Sequence, residues 1–392
     1  MANDDFIDED LVEAQLSRLP ERKPRKNEFK PWHRPHKQYI RGKQWATDAV
    51  RLAKELDLED RTIRYLSLPG EDLLDVRYVG KCLFESCGLR LYFYGYDKRA
   101  DGKDVEFNSL EFSVKESEYI DGKSRVINDD IRSLGQVKAK TRQDLLNLRP
   151  FHIVNLDLCG SVAGSPQSVT GVSYLDAISA MLLLQSRASW NSLLFVTSRV
   201  DRQSSDKKLY ARLLGIVDAA CAKYRLFNQG FRDQWNVDSA IETLKSDCYA
   251  TEEDRFLLGF IEWFIATAFE SGIKPTLKSV KTYNTSYCGG SGSDDMASIS
   301  FGLEPILPVR SDPFDIQHPS VSAATEAEKS RQVDSKSEHV PEKVKGCERV
   351  DETLSGNVGE FLRCLEETQA LLNQCGYDVS GYESWVSGGI DL

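Results

Sequence analysis

From Ile63 to Ile306 the chain alternates short apolar runs of strand character with longer runs of helical period, an alternation that confines it to a sheet whose strands are joined by helices. Strands are predicted over Ile63-Arg-Tyr-Leu-Ser-Leu68, Leu89 to Tyr96, Phe151-His-Ile-Val-Asn-Leu-Asp157 and Ser192 to Ser198. Helices are predicted over Asp72 to Cys87, Arg142 to Leu148, Val172 to Ser186, Lys207 to Tyr224, Val237 to Asp247 and Glu252 to Ser271. Lys98 to Lys123 is irregular and charged, and reads as an insertion with one or two short strands. The tract closes with Thr276 to Tyr287 and Met296 to Ile306, two strand-like runs joined by Cys288-Gly-Gly-Ser-Gly-Ser293. The expected fold class is α/β, a mostly parallel sheet with helices on both faces and a C-terminal antiparallel hairpin, with ligands at the carboxyl ends of the strands.

Both flanks differ in composition from this tract. Residues 1–46 form an acidic start (Asp4, Asp5, Asp8, Glu9, Asp10) and then a basic and aromatic arm; residues 47–306, opening with a helix from Thr47 to Leu58, form the folded domain. Residues 307–356, rich in Ser, Glu, Lys and Pro, read as a disordered linker, and 357–392 as an amphipathic helix with a tail. Between Arg18 and Lys43 ten Lys or Arg face only Glu21 and Glu28, while Pro20, Pro24, Pro31 and Pro35 argue for an extended conformation. Such an arm either grips nucleic acid, cations to phosphates and Phe29, Trp32, Tyr39 and Trp45 to bases, or straps the protein's own acidic surface. The strap avoids leaving tryptophans in water. The helix Val358 to Cys375 carries Phe361, Leu362, Leu365, Leu371 and Leu372 on one face, for a protein partner's groove or for the chain's own core.

No run of eighteen apolar residues occurs and no basic-then-apolar leader opens the chain, so neither membrane spanning nor secretion is expected. Nine cysteines without Cys-x-x-Cys pairs suit reduced thiols in a cytoplasmic protein. The net charge of −11 argues against nucleic-acid binding by the surface at large and leaves only the arm for it.

Chemistry is expected where strands end. Leu68-Pro69-Gly70-Glu71-Asp72 is a tight turn opening a helix, whose free amides suit a polar or anionic ligand group. Gly95-Tyr96-Asp97 ends the second strand with a carboxylate able to accept two hydrogen bonds from a diol. Asn128-Asp129-Asp130 is a third acidic strand end, and Asn155-Leu-Asp157-Leu-Cys159-Gly-Ser161 a fourth. This order, followed by a strand with Thr197-Ser198 and a terminal hairpin, resembles a class I S-adenosylmethionine (SAM) methyltransferase, a Rossmann-like fold. The resemblance implies that Pro69, Gly70 and Glu71 hold the methionine part of SAM, Asp97 the ribose and Asp130 the adenine, with Asn155 and Asp157 facing the methyl acceptor. The fourth-strand loop also loosely resembles that of bacterial three-Cys-motif partner proteins. The first turn departs from the glycine-rich pattern, and the fourth lacks the Pro-Pro-aromatic loop of amino methyltransferases and the Pro-Cys of cytosine C5 enzymes.

Phosphate-loop, zinc-protease and serine-hydrolase motifs are absent from the sequence. His152 lies inside a strand and reads as a satisfied core histidine. Three readings are therefore expected, the third of them an unrelated nucleotide-binding α/β protein. The first is a SAM-binding methyltransferase-like protein, acting on nucleic acid or another acceptor; the second is a catalytically inactive subunit of that fold that joins protein or nucleic-acid partners, as in an antiviral defence complex.

Overall fold

The strand Ser192–Arg199 is buried along almost its whole length, its apolar run Leu193 to Val196 suiting a sheet covered on both faces. It is the fifth of eight strands in the computed structural model, which describes residues 26–100, 102–238, 245–285, 295–306 and 326–388. The acidic start, arm residues 18–25, the glycine-rich connection 288–293, linker residues 307–325 and residues 389–392 lie outside the described residues. In chain order the strands are β1 (Thr62–Ser67), β2 (Arg90–Tyr96), β3 (Arg125–Ile127), β4 (Ile153–Ser161), β5 (Ser192–Arg199), β6 (Ile273–Tyr283), β7 (Met296–Pro305) and β8 (Glu348–Arg349).

Their order across the sheet is β3-β2-β1-β4-β5-β7-β6-β8. β1 to β5 run parallel, and β7 enters antiparallel between β5 and β6. This is the expected α/β fold with its antiparallel hairpin, and the order through β6 is of methyltransferase type. Register brings Ser67 beside both Gly95 and Asn155, so β1, β2 and β4 finish on one rim. The chain's direction of winding switches between β1 and β4, where a crevice opens in such sheets.

Each face has its own core. On one, Phe256, Phe260 and Phe264 of the helix Glu252–Glu270 are buried, with Phe264 stacked on Phe301 of β7 at 4.0 Å between centroids. On the other, the helix Leu74–Cys87 packs with segments from both ends of the chain. Among the described residues no helix is long and apolar enough to cross a membrane.

The structure differs from expectation at four places. The described part of the arm is extended only from Lys26 to Lys30 and helical beyond: Pro31 opens the 3-10 turn Pro31–His33 and Pro35 the helix Pro35–Ile40. At a first helical position a missing N–H costs nothing, so these prolines start helices instead of forbidding them. The helix runs on through a π turn, Arg41–Ala46, into Thr47–Glu55, so no boundary falls at residue 46. Residues 326–356 are ordered as Glu326–Ser337, Val340–Lys345, β8 and Val350–Gly356, anchored by buried Val333, Val340, Val344, Val350 and Leu354. Asn236 in the left-handed region ends the helix Arg225–Trp235, where a helix over 237–247 was expected; 239–244 lie outside the described residues. Finally, the charged insertion holds a helix, Val105–Lys115, capped by Asp104.

The helix Val358–Gln374 docks on the chain's own core. Its Cys364, Leu365, Leu371 and Leu372 are buried against the helices Pro35–Ile40 and Leu74–Cys87, while Val358 and Leu362 face outward.

Candidate functional site

The carboxyl ends of β1 and β4 frame a cavity of about 330 Å³. The turn Leu68 to Asp72 forms one wall, Asp157 to Cys159 the floor, and Tyr283 and Met296 of the hairpin the far side; Trp32, Lys37 and Arg41 close the top. Gly70 sits at φ +61°, which only glycine adopts at no cost. The ring of Pro69 leans over β2, where a Cβ on Gly95 would lie 3.0 Å from its Cγ. The glycine that permits close approach therefore stands on the second strand, and the approaching group is the chain's own proline.

Asp97, Asp130 and Asp157 each meet a cation of the chain. Arg99 grips Asp97 with Nε on Oδ1 at 3.0 Å and Nη2 on Oδ2 at 2.6 Å, and reaches Glu71 with Nη1 at 2.9 Å. Asp130 is gripped the same way by Arg132 and met by Lys98 at 3.0 Å. Burial alone would raise the Asp130 carboxyl, but the Arg132 and Lys98 donors hold it well below the usual range. Lys37 donates to Asp157 at 2.5 Å and lies over the Trp45 ring, with the Tyr283 hydroxyl at 3.3 Å. Burial lowers the Lys37 ammonium pKa, and Asp157 opposes that shift.

The cavity thus gathers Pro69, Gly70, Glu71 and Asp157. Asp97 adjoins it through Arg99. Asp130 lies outside it, and Asn155 is fully buried beneath, its amide nitrogen on the Tyr65 hydroxyl at 2.8 Å. That hydroxyl and the Ser67 hydroxyl both donate to Asp75, at 3.0 and 2.5 Å, and burial raises the Asp75 carboxyl.

Sequence reasoning missed Lys37, Arg41, Asp75 and Arg99. One signal was available for Arg99: Asp97-Lys-Arg99 and Asp130-Ile-Arg132 repeat one pattern, an acid whose carboxylate accepts from the backbone N–H and guanidinium two residues on. Lys37 and Arg41 stand four apart, one face of a helix, but only a helix begun at Pro35 gives that spacing meaning.

Beside the cavity, around Asp72, the two flanks clasp each other. Lys26 bridges to Tyr377, with the Lys26 N–H on the Gly376 carbonyl and the Asp378 N–H on the Lys26 carbonyl. Phe29 packs on Tyr377, Tyr382 and Trp385, and the Tyr382 hydroxyl donates to the His33 carbonyl. Beneath, Asp72 takes hydrogen bonds from Lys26, His33 and Tyr377, each at 3.1 Å. Burial would raise this carboxyl, yet His33 and Lys26 keep it below its ordinary value.

The clasp spans the region that sequence comparison covers, for the PP_RS20740-like family profile matches residues 26–387. The chain belongs to the PP_RS20740-like family. No curated protein matches it. Among solved structures it is similar to Trm1 from Pyrococcus horikoshii in complex with S-adenosyl-L-methionine, at 12% identity and a TM-score of 0.33, over 69% of this chain and 56% of that one. This PP_RS20740-like chain therefore spans little more than half the length of that protein.

Chemically, the PP_RS20740-like cavity is an apolar slot with fixed charges. Burial pushes the Cys159 thiol up, so it stays protonated near neutral pH and is a poor nucleophile. What the arrangement can do is hold and orient a polar ligand out of water, between Asp157 and the first turn.

Proposed function

We propose that this PP_RS20740-like protein binds SAM at the rim of β1, β2 and β4, as a methyltransferase-like protein. The observation that carries the reading is the single cavity whose walls are the first turn, Pro69, Gly70 and Glu71, and the fourth-strand Asp157. The fit is good on the side of the first turn and requires one exchange on the other. Asp97 must release Arg99 to accept a ribose diol, and Arg99, a third exposed, has room to turn outward. When bound, SAM supplies an electrophilic methyl group. The chain's part is to exclude water with Pro31 and Trp32, and to orient the acceptor's polar group at Asp157, whose carboxylate Lys37 holds in place. Titration calorimetry on the full chain tests this: SAM binds at one site, and Asp97→Ala weakens it by roughly tenfold or more, the loss of two hydrogen bonds to a charged acceptor.

The fork from Arg99 to Asp97 and Glu71 favours a second reading, an inactive methyltransferase-like subunit in which the chain's own side chains fill the nucleoside's place. Under it SAM gives no heat with either wild type or Arg99→Ala. For partners, the cations of residues 26–43 favour the strap over the nucleic-acid arm, because Lys26, Lys37 and Lys43 meet Asp72, Asp157 and Glu360. Retention of labelled DNA or RNA at 150 mM salt, lost on neutralising Lys30 and Arg34, would reverse that preference.

A further inference from the structure

The charges lining the cavity do not all cancel. Lys37 is engaged by Asp157, Arg99 by Asp97 and Glu71, and Arg199 by Asp295 at 2.7 Å. Asp72 is engaged by Lys26, His33 and Tyr377, and Asp75 by Ser67 and Tyr65. Arg41 is different. It is 3% exposed, and its Nη2 donates to the Trp32 carbonyl at 3.1 Å, but its Nε and Nη1 have no hydrogen-bond partner and no access to water.

A guanidinium stays charged at any working pH, so its unanswered N–H groups carry the full cost of desolvation. That cost is removed if the site's occupant brings oxygens. Arg41 sits on the π turn facing the cavity, with Asp157, Asp75 and Tyr283 acting on it electrostatically. None of those three donates or accepts a hydrogen bond with it among the described residues. Trp32, the large apolar lining residue with most exposure, lines the same cavity and is held by the same guanidinium.

We propose that Arg41 is the receptor for an oxyanion, a carboxylate or a phosphate carried by the cavity's ligand, which displaces the Trp32 side of the roof as it enters. The inference goes beyond SAM binding and does not need it: it states what functional group the occupant carries, whatever the rest of that molecule is. A role for Arg41 confined to holding the Trp32 carbonyl would predict a lower melting temperature on its removal, whereas buried N–H groups left without acceptors weigh against the folded state.

The test uses the full-length protein and two simple probes, inorganic phosphate and acetate, titrated calorimetrically at ionic strength matched with chloride. One saturable site is expected for at least one of them, and which one binds tells phosphate from carboxylate. Arg41→Met should weaken that site by roughly tenfold or more while leaving the melting temperature of the free protein equal or higher. Arg41→Gln, which keeps a donor for the Trp32 carbonyl, should lose binding equally and guards against a failure of the methionine variant to fold. The proposal is overturned if neither anion saturates a site on the wild type, or if either variant binds as well as wild type. No SAM is present, so this result and the SAM titration fail independently.

Discussion

Glu262 shows how a single side chain sets pH dependence here. It lies inside the helix Glu252–Glu270, 2% exposed, with Oε2 accepting from Ser337 at 2.7 Å and Oε1 unmatched. Burial pushes its carboxyl up to about 8, against the pull of Ser337. The folded state therefore keeps a proton that the unfolded chain gives up above its ordinary value near 4.5. Stability falls as pH rises from that value to about 8 and levels off beyond. Glu262→Gln removes the titration, and urea denaturation should find it more stable than wild type at pH 8 by about 1 to 3 kcal/mol, with the gap closing toward pH 5. A constant gap across that range would contradict the assignment. The same scale explains what sequence reading gained and lost at the site. Glu71, Asp97 and Asp157 were legible because they end runs of strand character. Of their partners, Arg99 was signalled only by the repeated Asp-x-Arg pattern, and Lys37 not at all, because its contact with Asp157 depends on the three-dimensional chain course.

At the scale of elements, period and burial carried most of the information. β1, β2, β4 and β5 were legible as apolar runs, and the hairpin as two such runs around glycines. The linker and the arm misled for one shared reason: composition reports average burial, whereas a few well-placed anchors suffice to dock a polar helix. Val333, Val340, Val344 and Val350 do this for residues 326–356, and Phe29, Tyr39 and Trp45 for the arm. The clasp between the flanks is the element with the sharpest prediction. Tyr382 is fully buried against Phe29 and Trp385, so Tyr382→Ala should cost about 3 kcal/mol and strip hydrogen-exchange protection from the backbone of residues 26–34. Protection unchanged there would mean that Phe29 and the Lys26 bridge hold the clasp without it.

For the whole molecule, the C-terminal helix is part of the second core rather than an appendage. Removal of residues after Gly356 exposes the faces that Cys364, Leu365, Leu371 and Leu372 cover on the helices Pro35–Ile40 and Leu74–Cys87. The truncated chain should melt well below the full one or fail to stay soluble, since four apolar side chains are each worth about 1.5 to 3 kcal/mol. An unchanged melting temperature would return that helix to the role of a free partner-binding segment. The parallel bridge from Lys26 to Tyr377 has a consequence for synthesis. A ribosome delivers Lys26 and Phe29 long before it delivers Tyr377 and Tyr382, so the first segment waits without its cover while the sheet between them is made. The contact therefore forms only after every strand of the sheet, all of which lie between its two halves in the chain, has been made.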